Sequence, residues 1–188
     1  MTTSTVVSVA SKPRSRRGED ARQSPKYRLD VVASDVLDVV RSAGGWLFDR
    51  AMAGWEVNAL LPRTQDVRAL QILGVRCVDL HAELSTPLAG VGLAVSAEAL
   101  GVDSRIRDTV LEALNHSLTE VTLWGDGWPL AVDRRTAAAQ HVLSAAARSF
   151  KRHALAAAGA ASPVGPTESL RSHPKTCSPV GSELILVD

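Results

Sequence analysis

The chain predicts an α/β domain, with α+β as the alternative: one small unit in which a three to four strand sheet is packed by about four helices. Three observations carry that expectation. A helix pattern, a glycine and a strand pattern follow one another twice between residues 34 and 80, and an alternating strand at 118–124 follows a strongly amphipathic helix. Hydrophobic residues make up 45% of the 188, enough for one core and too few residues for several domains.

Residues 1–28 hold seven basic groups against Glu19 and Asp20, a net charge of +5. With only Val6, Val7 and Val9 as an apolar patch, this stretch carries neither a secretory signal nor enough apolar surface to order itself, and it reads as a disordered basic arm. The globular α/β domain is expected over 29–158, net charge −3, and a flexible Pro/Gly/Ser tail over 159–188, net charge −1.

Within the domain, Val36, Val40, Ala43, Leu47 and Ala51 form a helical stripe with Ser34 as its expected N-cap. Gly44 and Gly45 interrupt that stripe and predict a bend or restart, and a place where backbone or ligand approaches closely. Gly54 ends the helix, and 56–61 reads as a strand closed by Pro62. Asp66 then opens a short helix, Gly74 closes it, and 75–80 is the second strand. Residues 88–95 are apolar with two glycines, a buried strand or tight loop. Asp103 begins the clearest helix, with Ile106, Val110, Ala113 and Leu114 on one face. After the strand at 118–124 and the turn 125–127, a long helix is expected from about Asp133 to Ala158, burying Ala139, Leu143, Ala146, Phe150 and Ala154. The last apolar residues, 184–187, read as loose chain or as a strand added to a sheet edge.

Three constellations stand out chemically. Cys77, Asp79, His81 and Glu83 alternate along one segment, so an extended strand puts them on one face; those side-chain types bind metals or act as bases, but a spacing of about 7 Å between i and i+2 is awkward for one ion. No metal site and no catalytic residue is therefore assigned, and Asp79, His81 and Glu83 stand as ligand-binding candidates. Trp124, Asp126 and Trp128 are the second set, an acidic turn between two indoles that either pin the loop to the core or present a stacking platform. The third is basic: Arg148, Lys151 and Arg152 on one helical face, together with Arg14, Arg16 and Arg17 of the arm, are the candidates for nucleic-acid contact.

Exclusions narrow the function classes. No phosphate-loop, serine-hydrolase elbow, HExxH, CxxC or GxGxxG motif is present, so no cofactor is expected. Two cysteines 100 residues apart frame neither a disulfide scaffold nor a four-cysteine zinc site. No apolar run reaches the roughly 18 residues a membrane span needs, and a cytoplasmic location in an Arg-rich bacterial proteome is the expectation. The reading these features favour is a non-catalytic regulatory module that binds a protein partner or itself. The alternative is a small-molecule-binding protein or enzyme with a pocket near residues 79–83 and 124–128. Weak nucleic-acid binding through the basic arm ranks third, with no motif to support it.

Overall fold

In the computed structural model, residues 27–62, 66–80, 92–101, 103–116, 118–174 and 184–187 are described. The arm with Arg14, Arg16 and Arg17, the segment with His81 and Glu83, and residues 175–183 and 188 of the expected tail lie outside those residues.

Among the described residues the chain builds one eight-stranded mixed sheet with five α-helices, so the α/β class stands while the expected three to four strand sheet is corrected. The strands are β1 (Arg28–Val32), β2 (Glu56–Leu61), β3 (Arg76–Asp79), β4 (Gly92–Ser96), β5 (Glu120–Trp124), β6 (Ala137–Val142), β7 (Thr167–Ser172) and β8 (Leu184–Leu186). The helices are α1 (Val36–Met52), α2 (Arg68–Ile72), α3 (Ser104–Asn115), α4 (Leu130–Asp133) and α5 (Ala145–Ala157), with a 3-10 turn at Ala97–Gly101. Across the sheet the order is β3-β2-β1-β4-β5-β7-β6-β8, the first five strands parallel and the last three joined antiparallel.

Strand alternation sorts the side chains into two cores. Leu29, Val31 and Ala33 of β1 and its end face α1, α2 and α5, whereas Val32, Val95, Val121 and Leu123 face Ile106, Val110 and Leu114 of α3. Because β1, β2 and β3 progress one way and β4, β5 the other, right-handed crossovers place the helices after β1 and β4 on opposite faces. That divergence leaves a crevice at the C-terminal ends of β1 and β4.

Helix α1 starts one residue later than its expected cap: Asp35, not Ser34, is the N-cap, its carboxylate accepting the Asp38 N–H at 2.9 Å. The helix runs unbroken through Gly44 and Gly45, but its backbone is entered by an ion pair. Glu168 accepts the N–H groups of Gly45 and Trp46 at 2.8 Å each, while the Lys151 ammonium donates to the Arg41 carbonyl at 2.6 Å. In a regular helix the Gly45 N–H and the Arg41 carbonyl would pair with each other. The close approach that the glycines permit is thus made by a side chain of the chain itself.

The long helix expected from Asp133 is the largest local correction. Residues 137–142 form β6 between β7 and β8, and only Ala145–Ala157 is helical, capped by Ser144. Sheet pairing on both edges satisfies the β6 backbone and overrides the helical preference of three consecutive alanines. The buried stripe of α5 is Ala147, Lys151, Ala154 and Leu155, with Ala146 and Phe150 exposed. The expected tail is corrected in the same way: 167–172 is a strand bonded to both β5 and β6, and 184–186 adds to the β6 edge. Among the described residues no helix is long and apolar enough to cross a membrane.

Candidate functional site

The first turn of α1 rises directly from the end of β1, which puts Asp38 beside the ends of β4 and β5. Its Oδ2 accepts the Ser96 hydroxyl and the Trp124 indole N–H, both at 2.8 Å, and its Oδ1 accepts the Ser42 hydroxyl at 3.1 Å. One half-buried carboxylate therefore ties α1, β4 and β5 together at the crevice. Gly125 follows with a φ of 88°, a left-handed conformation that turns the chain over Ala97; a Cβ there would lie 3.0 Å from the Ala97 Cβ.

Trp124 is 2% exposed, so it is a core residue and not a stacking platform on its own. It is nevertheless the shared wall of two clefts. The first, about 330 Å³, lies between α1, α5 and the 162–169 segment and is lined by Arg41, Ser42, Lys151, Pro163 and Glu168 among others. The second, about 540 Å³, is lined by Asp126, Trp128, Asp133, Leu170 and Arg171. Trp124, Gly125 and Ser169 border both. Each falls within the size range of small-ligand pockets.

The two clefts differ in charge. In the first, both carboxylate oxygens of Glu168 are already engaged, by Lys151 at 2.5 Å and by the Gly45 and Trp46 N–H groups. In the second, Arg171 is held by Asp133 at 2.8 Å and by Thr136, while the Asp126 carboxylate is exposed at the turn. Trp128 is half-buried, its indole N–H donating to the Gly125 carbonyl at 2.9 Å, which presents the ring to the cleft.

Of the candidates read from sequence, Trp124, Asp126 and Trp128 meet in one place. Asp79 ends β3, four strands away from β5 along the same sheet edge, roughly 19 Å by strand spacing, so it does not share a pocket with the tryptophan turn. His81 and Glu83 lie outside the described residues, and among those described no three His, Cys, Asp or Glu side chains group as metal ligands. The basic face of the last helix is smaller than expected: Lys151 is buried against Glu168, while Arg148 and Arg152, at i and i+4, are exposed on one face.

Sequence reasoning passed over Asp38, Ser96, Arg41 and Glu168. Asp38 carries a signal, an acidic side chain in the first helical turn, but helix-dipole preference explains such residues without a site. Glu168 and Arg171 carry none, since both sit in a stretch whose prolines and glycines read as linker.

Two other polar clusters lie apart from the clefts. Arg50 and Glu120 pair at 2.7 Å at the opposite edge of the sheet, the guanidinium 4.4 Å from the Trp55 ring centroid. Asp49 accepts from Ser144 Oγ at 2.6 Å and contacts His141 Nε2 at 2.9 Å. The serine there faces the carboxylate, not the imidazole, so the trio is a helix anchor and not a nucleophile with its base.

No protein-family model and no curated protein sequence matches the chain. Among the solved structures that share its fold are two deacetylases. The A40926 pseudoaglycone deacetylase Dbv21 aligns with a TM-score of 0.50 at 14% identity, covering 83% of this chain and 100% of that one. A triple mutant of a deacetylase of the teicoplanin biosynthetic pathway aligns with a TM-score of 0.50 at 14% identity, covering 87% and 99%. The expectation of a non-catalytic regulatory, protein-binding module is corrected by these likenesses. Both neighbours are deacetylases by name, and at 14% identity the likeness to this chain is one of fold.

Proposed function

We propose that the chain is a small-molecule hydrolase that removes an acyl group from an amine, working at the C-terminal edge of the sheet where the two clefts meet. The observation that carries this reading is the wall made by Trp124 and Gly125 at the C-terminal end of β5, shared by both clefts and tied to Asp38 of α1. Ligands of open α/β sheets seat outside the C-terminal ends of the strands. The choice of reaction is supported by the two deacetylases built on this fold.

In such a reaction a base takes a proton from water as its oxygen adds to the amide carbonyl, the C–N bond breaks, and that proton and the acid's own pass to the leaving nitrogen, giving a carboxylate and an ammonium. Asp126 is the exposed carboxylate bordering the second cleft, placed to accept that proton and then to pair with the ammonium formed. Trp128 gives the substrate an apolar wall, and Asp38 acts through Trp124 as a positioning residue.

The test is acetate release, followed by proton NMR, from a panel of N-acetylated small molecules incubated with the full-length protein. Acetate production that falls at least tenfold in Asp126→Asn, with the fold intact by circular dichroism, is the expected result. No acetate from any amide, or an unchanged rate in Asp126→Asn, overturns the assignment.

A further inference from the structure

The first cleft holds two cations and one carboxylate, and their hydrogen bonds decide what it can take. Glu168 is 5% exposed with both oxygens engaged, so its charge is matched by Lys151 and two backbone N–H groups. Arg41 is different. Its guanidinium is exposed at the rim and forms no hydrogen bond or ion pair with any described residue. The Ser42 hydroxyl, which donates to Asp38, and the hydroxyls of Thr167 and Ser169 complete a polar lining around an unmatched positive charge. The second cleft has the opposite balance, with Arg171 neutralised by Asp133 and the Asp126 carboxylate left in excess.

We propose that the first cleft is an anion-binding subsite that seats the carboxylate or phosphate group of the ligand, Arg41 gripping it and the Lys151–Glu168 pair forming the floor. A guanidinium matches either oxyanion with two parallel N–H bonds, a fit that a lysine in its place does not reproduce. Because Trp124, Gly125 and Ser169 border both clefts, one ligand spans them with its anion beside Arg41 and its nitrogen beside Asp126. The description of that ligand as a substrate rests on the deacylase reading; the anion subsite itself does not. Combined, they define the substrate class as N-acylated amino acids or amino phosphates.

Two measurements on the full-length protein separate the claims. The first is calorimetric titration with inorganic phosphate and with succinate, repeated on Arg41→Glu and on Arg41→Lys. Saturable binding of either anion, weakened about tenfold or more in Arg41→Glu and partly retained in Arg41→Lys, is expected. Absence of binding, or equal affinity in Arg41→Glu, overturns the subsite. Arg41 is exposed, so both variants should fold, and an unchanged melting temperature without anion checks it.

The second compares acetate release from N-acetylglycine with that from N-acetylethanolamine, which has the same amide and no acid group. A preference for N-acetylglycine that disappears in Arg41→Glu supports the assignment. Anion binding without acetate release from either compound leaves the subsite standing and removes the deacylase reading. Acetate release from both at equal rates, unaffected by Arg41→Glu, overturns the placement of the substrate's acid group beside Arg41 and leaves the deacylase.

Discussion

The Lys151 ammonium and the Glu168 carboxylate, 2.5 Å apart, sit inside the backbone of α1, one on the Arg41 carbonyl and the other on the Gly45 and Trp46 N–H groups. Each half of the helix thereby meets a charge suited to its end of the dipole: a cation at the carbonyl, an anion at the amides. Both side chains are less than a tenth exposed, so removing one leaves the other buried without its partner. Lys151→Met should destabilise the protein by about 3–5 kcal/mol, whereas Lys151→Met combined with Glu168→Gln should recover part of that loss. Urea unfolding of the three proteins measures both numbers, and a double variant no better than the single one would show that the cost lies in packing and not in charge.

Gly45 is where the helix admits this pair. A Cβ at that position would stand 2.3 Å from Leu143 Cδ2 and 3.1 Å from a Glu168 carboxylate oxygen, although its backbone is helical. Alanine usually stabilises a helix relative to glycine by about 1 kcal/mol. Here the sign should reverse, with Gly45→Ala costing about 1–3 kcal/mol through overpacking. Thermal unfolding decides it, and Gly54→Ala is no control because Gly54 has a φ of 91°.

Cys77 lies half-buried on the edge strand β3, and burial pushes its thiol pKa above the usual range. Less thiolate is therefore present at neutral pH than on an open cysteine, and the thiolate is the reactive form. In a Cys177→Ser background, Cys77 should react with a disulfide reagent more slowly than free cysteine at pH 7. Raising the pH should accelerate it, with the midpoint of the rate profile lying above that of free cysteine. A midpoint at or below the free value would contradict the burial seen at this strand.

What the sequence makes legible here follows from the range of the forces involved. The stripe Ile106, Val110, Ala113 and Leu114 is a local pattern, and those four residues are the buried face of α3. Tryptophan, glycine and aspartate at 124–127 mark a strand end and turn for equally local reasons. The antiparallel half of the sheet is different. Ala137 to Val142 carries helix-forming residues at helical spacing, and only pairing with strands about 30 residues later in the chain, at Thr167–Ser172, makes it β6. The same partners that turned Thr167–Ser172 from linker into strand brought Glu168 beneath α1 and Arg171 into a cleft. Half of the candidate site was hidden because its residues gain meaning only through that long-range pairing.

Asp38 offers the sharpest test of how the site is held. Its Oδ2 takes two donors at 2.8 Å, the Ser96 hydroxyl and the Trp124 indole N–H, and Trp124 forms the wall between the clefts. Asp38→Asn keeps the shape but replaces a charged acceptor with an amide, of which only one end accepts. Hydrogen bonds to charged groups contribute about 1.5–3 kcal/mol, so the loss in stability should fall in that range. The indole itself should report the change: in a protein whose other tryptophans are replaced by phenylalanine, Trp124 emission should shift to longer wavelength and become open to iodide quenching in Asp38→Asn. Iodide access that is unchanged by the substitution would mean that packing, and not the Asp38 carboxylate, fixes the Trp124 ring.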